Sequence, residues 1–234
     1  HIAACVMIEK KLIPTLRELA TVLNSKSIEF KDIIKIGRTH LQDATPITLG
    51  QEFSGYTQMI ENGISRINHS HILMKELAQG GTAVGTGINT HVNFGALMAE
   101  EISKYTGISF QEAQNHFEAQ SSQDASVEMS GSLKTLAVSI SKIANDIRFL
   151  GSGPRAGLGE LILPPVQPGS SIMPGKINPV ICESIIQVCT QVIGNDTTIT
   201  IGGQGGAFEL NLMLPLIGYN LIDSITILNN SCKL

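Results

Sequence analysis

Apolar residues recur three and four positions apart along most of this chain, which is the spacing of an amphipathic α-helix. The pattern predicts helices over approximately residues 8–34, 48–77, 93–105, 122–150, 179–200 and 207–229. Each long helix has an apolar stripe to bury, so the helices must pack on one another. We therefore predict an all-α fold, in which long and roughly antiparallel helices form a bundle.

Little in the sequence favours β-structure. Residues 161–163 form an apolar run that is too short to count as a strand. Aromatic residues make up only 4% of the chain and tryptophan is absent, so we expect an aliphatic core. Pro14 should either kink the first helix or mark its first turn, because proline cannot donate a backbone hydrogen bond.

The composition narrows the class of protein. With 234 residues, 42% of them hydrophobic, the chain can bury one substantial core. A net charge of −4 with no run of basic residues does not favour binding to nucleic acid or to an anionic membrane. No apolar stretch is long enough to span a bilayer. The cysteines form no C-x-x-C pair, so we expect buried, reduced thiols at Cys5, Cys182, Cys189 and Cys232.

Polar, glycine-rich segments separate the helices, and the longest of them covers residues 151–179. Such long loops inside a compact domain are often functional. Its last part offers two hydroxyls, from Ser170 and Ser171, then a positive charge from Lys176 and an amide from Asn178. Because a predicted helix starts just beyond them, these groups favour binding of a carboxylate or phosphate. The alternative is an ordinary mobile loop whose lysine is solvated.

A second polar cluster lies at residues 37–44, in a loop that we predict between helices at residues 37–46. Thr39 and His40 place a hydroxyl beside an imidazole that can titrate near neutral pH and act as acid or base. The alternative is a solvated loop histidine. Glu183 lies about one turn inside the helix that we expect after the long loop, and a carboxylate beside an imidazole raises its basicity. Spacing leaves open whether Glu183 meets His40 or is an exposed helix residue.

The other histidines carry no predicted role. His69 and His71 lie on a polar helix face, which predicts that both are at the surface. His91 and His116 have no evident partner. The six histidines show no spacing typical of metal ligands, so we expect no metal site.

Together these segments resemble the fumarase/aspartase superfamily. Residues 169–179, Gly-Ser-Ser-Ile-Met-Pro-Gly-Lys-Ile-Asn-Pro, look like its signature, and residues 81–90, Gly-Thr-Ala-Val-Gly-Thr-Gly-Ile-Asn-Thr, look like a second block. Within the superfamily the chain is most similar to class II fumarate hydratases, the iron-independent type. The Thr39-His40 pair and the Phe-Glu-Leu-Asn run at residues 208–211 favour this group. At position 116 this chain has histidine where the group usually has lysine.

The resemblance implies reversible hydration of fumarate to (S)-malate, a step of the tricarboxylic acid cycle, without a metal or organic cofactor. Ser170 would be the base that removes a proton from C3 of malate, leaving a carbanion intermediate. His40, paired with Glu183, would handle the water at C2. The implied contacts to substrate come from Thr39, Ser171, Lys176, Ile177 and Asn178.

The resemblance also implies a homotetramer whose active sites are shared between subunits and bind the dicarboxylates fumarate and malate. Residues 1–234 would be its central helical-bundle domain, and the family's N-terminal and C-terminal domains would lie outside this chain. A Ser-Ser-Asn substrate-binding segment would lie outside it as well, so we expect the 234 residues alone to be inactive or nearly so. The bacterial cytoplasm, or the mitochondrial matrix in a eukaryote, is the expected compartment.

Two other functions stay open at this point. One is a lyase of the same superfamily that releases ammonia or an amine, with His40 as the discriminating residue. An assay of malate against aspartate separates the two. The other is a structural or binding bundle that has lost catalysis. The joint presence of the candidate site residues argues against it.

Overall fold

A computed structural model describes residues 1–167 and 169–234 of the protein. The helices are α1 (Ile2–Met7), a π-helical turn (Ile8–Leu12), α2 (Ile13–Glu29), α3 (Leu49–Met74), α4 (Phe94–Thr106), α5 (His116–Ser121), α6 (Asp124–Leu150), α7 (Val180–Gly203) and α8 (Leu214–Ser231). The strands are β1 (Ile34–Thr39), β2 (Gln42–Thr48), β3 (Glu76–Leu77), β4 (Gln111–Glu112), β5 (Gly206–Ala207) and β6 (Leu210–Asn211).

The long helices pack side by side as a bundle. Helix α3 contacts α2 and α6, while α7 contacts α6 and α8. Their apolar stripes meet in an aliphatic core whose fully buried members include Ile60, Leu133, Leu136, Ile199 and Ile225. The predicted helical bundle is thereby confirmed. None of the helices in residues 1–167 and 169–234 has the length and apolarity needed to cross a bilayer.

Pro14 was predicted either to kink the first helix or to mark its first turn, and the structure agrees with the second alternative. This residue lies in the first turn of α2, where a proline costs no intrahelical hydrogen bond. The π-helical turn precedes it and carries the chain over from α1. Helix α2 ends at Glu29 and does not reach residue 34, because the chain turns there into strand β1.

The expected loop at residues 37–46 is instead part of an antiparallel hairpin, so this prediction was wrong. Strands β1 and β2 pair from Ile34 opposite Thr48 to Thr39 opposite Gln42, with a shift of register between Ile36 and Arg38. Most of the hairpin is exposed, so it lacks the buried face that produces a clear alternation of apolar and polar residues. Its turn also lacks the Asn-Gly pair that usually identifies a hairpin in a sequence.

Short elements near the other loops also differ from the prediction. Helix α8 begins at Leu214 instead of near residue 207, because strands β5 and β6 form a small antiparallel turn before it. The buried Asn211 side chain holds this turn: its Oδ1 accepts a hydrogen bond from the Met213 N–H at 2.8 Å. Helix α5 was not predicted, and the Asn115 side chain caps it by accepting from the N–H groups of Phe117 and Glu118.

The prediction of a surface position was wrong for His71, and the prediction of buried thiols is confirmed for three of the four cysteines, since Cys232 is only partly buried. His69 is exposed as predicted, but His71 is only 5% exposed, because it faces the π-helical turn and α1 instead of solvent. The four cysteines are free, and Cys5, Cys182 and Cys189 are buried. Burial raises the pKa of the Cys5 thiol to about 11 and that of Cys189 to about 12, so both are protonated at neutral pH.

Candidate functional site

In the loop before α7, a hydrogen bond joins the two ends of the segment from Gly169 to Asn178. The Asn178 side-chain amide donates a hydrogen bond to the Gly169 carbonyl at 2.7 Å. Position 169 requires glycine, because a Cβ there would lie 2.0 Å from the Lys176 carbonyl oxygen. The segment from Gly169 to Asn178 is therefore a closed ring, and its side chains share one small region of the surface.

Ser170 lies in this ring with its oxygen facing two backbone donors. The N–H groups of Ile172 and Met173 lie 3.3 and 3.2 Å from Ser170 Oγ, which accepts from both. Backbone dipoles aimed at one oxygen stabilise negative charge on it. The chain can turn back toward Ser170 because Gly175 adopts a φ of +80°, in the left-handed region that favours glycine.

An open depression of about 450 Å³ lies beside Ser170. Lys176 and Ile177 line it together with Ser170, while Lys176 and Ser171 are exposed. The Lys176 cation can bind a small anion here. The Ser170 oxygen beside it is placed to take a proton from that anion. Of the predicted site residues, Ser170, Lys176 and Ile177 line this depression, while Ser171 and Asn178 belong to the same ring but do not line it.

His40 lies elsewhere on the surface, at the tip of the β1–β2 hairpin. His40 and Leu41 form its two-residue turn, and both have positive φ values, 55° and 59°. A turn with both central residues in the left-handed region matches the twist of a hairpin, but it strains residues that have a Cβ. Thr39 and His40 are exposed, and neither side chain forms a hydrogen bond within residues 1–167 and 169–234.

Glu183 lies in the first turn of α7, as the sequence predicted. Its backbone N–H donates to the Pro179 carbonyl at 3.1 Å, and its side chain is partly buried. Across the described part of the chain, no hydrogen bond or ion pair joins Glu183 to His40 or either of them to the Ser170 loop. The depression beside Ser170 is lined by neither.

A cluster of charges holds the hairpin to the body of the protein. Arg38 Nη2 lies 2.5 Å from Glu160 Oε1, and Lys35 Nζ lies 2.8 Å from Glu160 Oε2. Lys35 Nζ also lies 2.6 Å from Glu52 Oε2, at the start of α3. Burial alone would raise the pKa of Glu160, but the Arg38 and Lys35 cations outweigh it and lower that pKa. The hydrogen bond to Glu160 raises the pKa of Arg38.

Residues 1–194 match a protein-family model that is described as Lyase. The chain belongs to this lyase family. Among similar proteins, the mitochondrial fumarate hydratase of Dictyostelium discoideum is 59% identical over 228 residues, which cover 97% of this chain and 47% of that protein. The class II fumarate hydratase of Caulobacter vibrioides is 56% identical over 225 residues, covering 96% of this chain and 49% of that protein.

Solved structures agree with the sequence relatives. The crystal structure of class II fumarase from Schistosoma mansoni superimposes with a TM-score of 0.97 at 38% identity, covering 98% of this chain and 51% of that one. The predicted resemblance to class II fumarases is thereby confirmed. The chain spans about half the length of the curated relatives and of the solved lyase structures that it matches.

Two other cavities of the protein differ chemically from the depression beside Ser170. A cavity of about 270 Å³ between the loop and the bundle has an apolar lining that includes Leu163, Val166 and Ile181, so it does not suit an anion. A polar depression of about 370 Å³ lies at the glycine-rich block and includes His116. His116 Nε2 lies 3.3 Å from Glu112 Oε1, a partner that the sequence did not indicate.

The charges that anchor the hairpin are the site feature that sequence reasoning missed. Lys35 and Arg38 lie three positions apart, so a regular strand would point them to opposite faces. The register shift beside Gly37 disturbs this alternation, and both side chains reach Glu160. The available signal was the single carboxylate, Glu160, in an otherwise apolar part of the long loop.

Proposed function

We propose that this chain is the central helical domain of a class II fumarate hydratase, which interconverts fumarate and (S)-malate. The observation that carries the proposal is the environment of Ser170. Its oxygen accepts hydrogen bonds from two backbone N–H groups, on a loop that also presents Lys176. The names of the similar proteins support the same reaction.

The proposed chemistry in the direction of dehydration begins at Ser170. As an alkoxide, stabilised by its two N–H donors, Ser170 takes the proton from C3 of malate. The electron pair of the broken C–H bond spreads into the adjacent carboxylate. This electron pair then forms the C2–C3 double bond. At the same time the C2 hydroxyl takes a proton from an acid on the C2 side of the substrate and leaves as water. Hydration reverses each step.

The remaining residues of the ring bind the carboxylate that carries the developing charge. Lys176 supplies the cation, and Asn178 supplies the second N–H of its amide, since the first already donates to Gly169. Ile177 forms the apolar wall between them, and Ser171 adds a hydroxyl. Because this carboxylate gains charge in the transition state, its contacts accelerate the reaction as well as binding the substrate.

We assign the proton that joins the leaving C2 hydroxyl to His40, with Glu183 as its carboxylate partner and Thr39 as a substrate contact. Among the residues that the structure describes, no hydrogen bond or ion pair joins His40 to Glu183. We therefore propose that the complete site assembles in a homotetramer, where the hairpin of one subunit approaches the loop of another. Sedimentation analysis of the complete protein tests this assembly, and a monomeric protein that is active at all concentrations would contradict it.

Two substitutions test the assignment of roles. Ser170→Ala removes the base, and we expect a loss of about 10²–10⁴-fold in malate dehydration. His40→Asn removes the imidazole, while asparagine tolerates the left-handed backbone of the turn, so the hairpin is kept. We expect a loss of similar size. Ser25→Ala, on the exposed face of α2, is the control and should leave turnover unchanged.

The assay must compare substrates as well as variants. Fumarate release from malate and from aspartate by the unmodified complete protein separates a hydratase from an ammonia-lyase. Release from aspartate in preference to malate would refute the proposed reaction, as would a Ser170→Ala protein of normal activity. We expect the enzyme in the bacterial cytoplasm or the mitochondrial matrix, and fractionation of the source cells locates it.

A further inference from the structure

The β1–β2 hairpin has little apolar contact to fix its direction. Residues 39–46, which include the turn and most of β2, are exposed, and Ile34 at its base is 78% exposed. A two-stranded hairpin in water is marginally stable by itself. The position of its tip must therefore depend on contacts made further down the strands.

Both cations of β1 contact one carboxylate, that of Glu160, and Lys35 contacts Glu52 as well. Glu160 accepts from Arg38 at 2.5 Å and lies 2.8 Å from Lys35 Nζ, so both cations of β1 meet the same side chain. The Lys35 side chain is only 9% exposed and that of Glu160 is 21% exposed. Partly buried, charge-assisted contacts of this kind are stronger and more directional than solvated surface pairs.

Glu160 is itself held on the rigid core. Its backbone N–H donates to the Leu150 carbonyl at 2.8 Å, and the next N–H, of Leu161, donates to the same oxygen at 3.1 Å. Leu150 is the last residue of α6 and is buried. The carboxylate is therefore a fixed point on the bundle, and Arg38 connects it to a strand position two residues before His40.

We propose that Glu160 is a positioning residue that fixes the direction of the hairpin through Arg38 and Lys35, and so sets where His40 meets the substrate. The catalytic part of this inference rests on the proposed function. Glu160 touches neither the turn nor the depression beside Ser170. It acts on the reaction only through the placement of His40, and misplacement of a catalytic group by about 1 Å can cost about 10²-fold in rate.

The test uses Glu160→Gln in the complete protein, with and without His40→Asn. Glutamine keeps the size of the side chain but removes the charge that binds both cations. We expect kcat for malate to fall about tenfold or more, with KM changed less than about twofold, since the Ser170 loop still binds the carboxylate. In the His40→Asn background the same change should cost almost nothing, because two substitutions that act through one group are not additive.

A second variant and a control show whether misfolding, and not a misplaced hairpin, explains a loss of activity. Arg38→Gln removes the other half of the contact, so it should reproduce the effect of Glu160→Gln. Glu101→Gln removes an exposed ion pair with Lys104, on α4, and should leave kcat unchanged. Unchanged circular dichroism and melting of each variant would show that the bundle is intact.

A readout without catalysis separates this inference from the proposed function. Hydrogen exchange should become faster at the amides of β1 and β2 in Glu160→Gln, while the amides of α6 stay protected. Unchanged exchange in the hairpin would overturn the positioning role, whatever the enzyme does. Full additivity of Glu160→Gln with His40→Asn would overturn the catalytic link. Failure of the unmodified protein to dehydrate malate would refute the proposed function while the exchange result still stands.

Discussion

His71 is a buried ionisable residue that the proposed chemistry does not use. Its Nδ1 lies 3.8 Å from Glu9 Oε2, and across residues 1–167 and 169–234 its Nε2 has no hydrogen-bond partner. Burial lowers the pKa of His71 from its usual 6.5, and the Lys75 charge lowers it further, while Glu9 opposes the shift. The folded protein therefore favours the neutral imidazole.

The sign of this shift predicts a loss of stability in acid. A histidine with a lowered folded-state pKa binds its proton more readily when the chain unfolds, so stability is fully present above about pH 6.5 and decreases below it. In His71→Leu we expect the fall in melting temperature between about pH 7.5 and 5.5 to be smaller by about 2–4 °C. Thermal unfolding at both pH values measures it.

His69→Leu is the matched control for this prediction, since His69 is exposed on the same helix. It should leave the pH dependence as it is in the unmodified protein. If His71→Leu and the unmodified protein lost the same number of degrees on acidification, another group would be responsible.

At the scale of whole elements, the sequence predicted the long helices but not the hairpin. The apolar residues of α6 predicted the position of its last residue, Leu150, correctly. A long run of apolar residues three and four positions apart is compatible with little other than a helix. Strands β1 and β2 gave no comparable signal, since charges on Lys35 and Arg38 hold them and not a buried apolar face. Pairings of that kind depend on Glu160, more than a hundred residues away in the sequence.

The contact between α3 and α6 depends on the absence of a side chain. A Cβ at Gly63 would lie 2.7 Å from Leu136 Cδ1, and Leu136 is fully buried. We expect Gly63→Val to destabilise the protein by about 1–3 kcal/mol, because the core has no space for three extra carbon atoms. Chemical denaturation of the purified variant measures this loss.

Gly55 provides the comparison on the same helix. A Cβ there meets no atom within 4 Å, so Gly55→Val should cost far less than Gly63→Val. Equal losses at the two positions would mean that helix propensity, and not the close approach of α3 to α6, decides the effect.

At the scale of the whole molecule, the sequence identified the ring residues as neighbours because ten consecutive positions contain them all. The convergence of His40 with Ser170 stays a prediction, as does the role of each residue. In one chain His40 does not line the depression beside Ser170, and their meeting in an assembly of subunits is part of the proposed function. Periodicity and spacing describe one chain, so they carry no information about contacts between subunits.

The length of the chain sets the last prediction. Because the 234 residues span about half of the similar fumarate hydratases, we expect them to dehydrate malate at less than about 1% of the rate of the complete protein. Such a loss corresponds to one missing set of substrate contacts, about 2.7 kcal/mol or more of transition-state stabilisation. Parallel assays of both proteins at equal concentration decide it, and comparable rates would contradict the need for further segments.

The closure of the loop by Gly169 and Asn178 has a practical consequence for protein engineering. The ring depends on the Asn178 side chain at one end and on glycine at position 169 at the other. Replacing only part of the segment between them therefore risks losing the closing contact. Chimeras that exchange this loop between related lyases should join the parents before position 169 and after position 178. A junction placed between these positions would combine a backbone from one parent with a closing contact from the other.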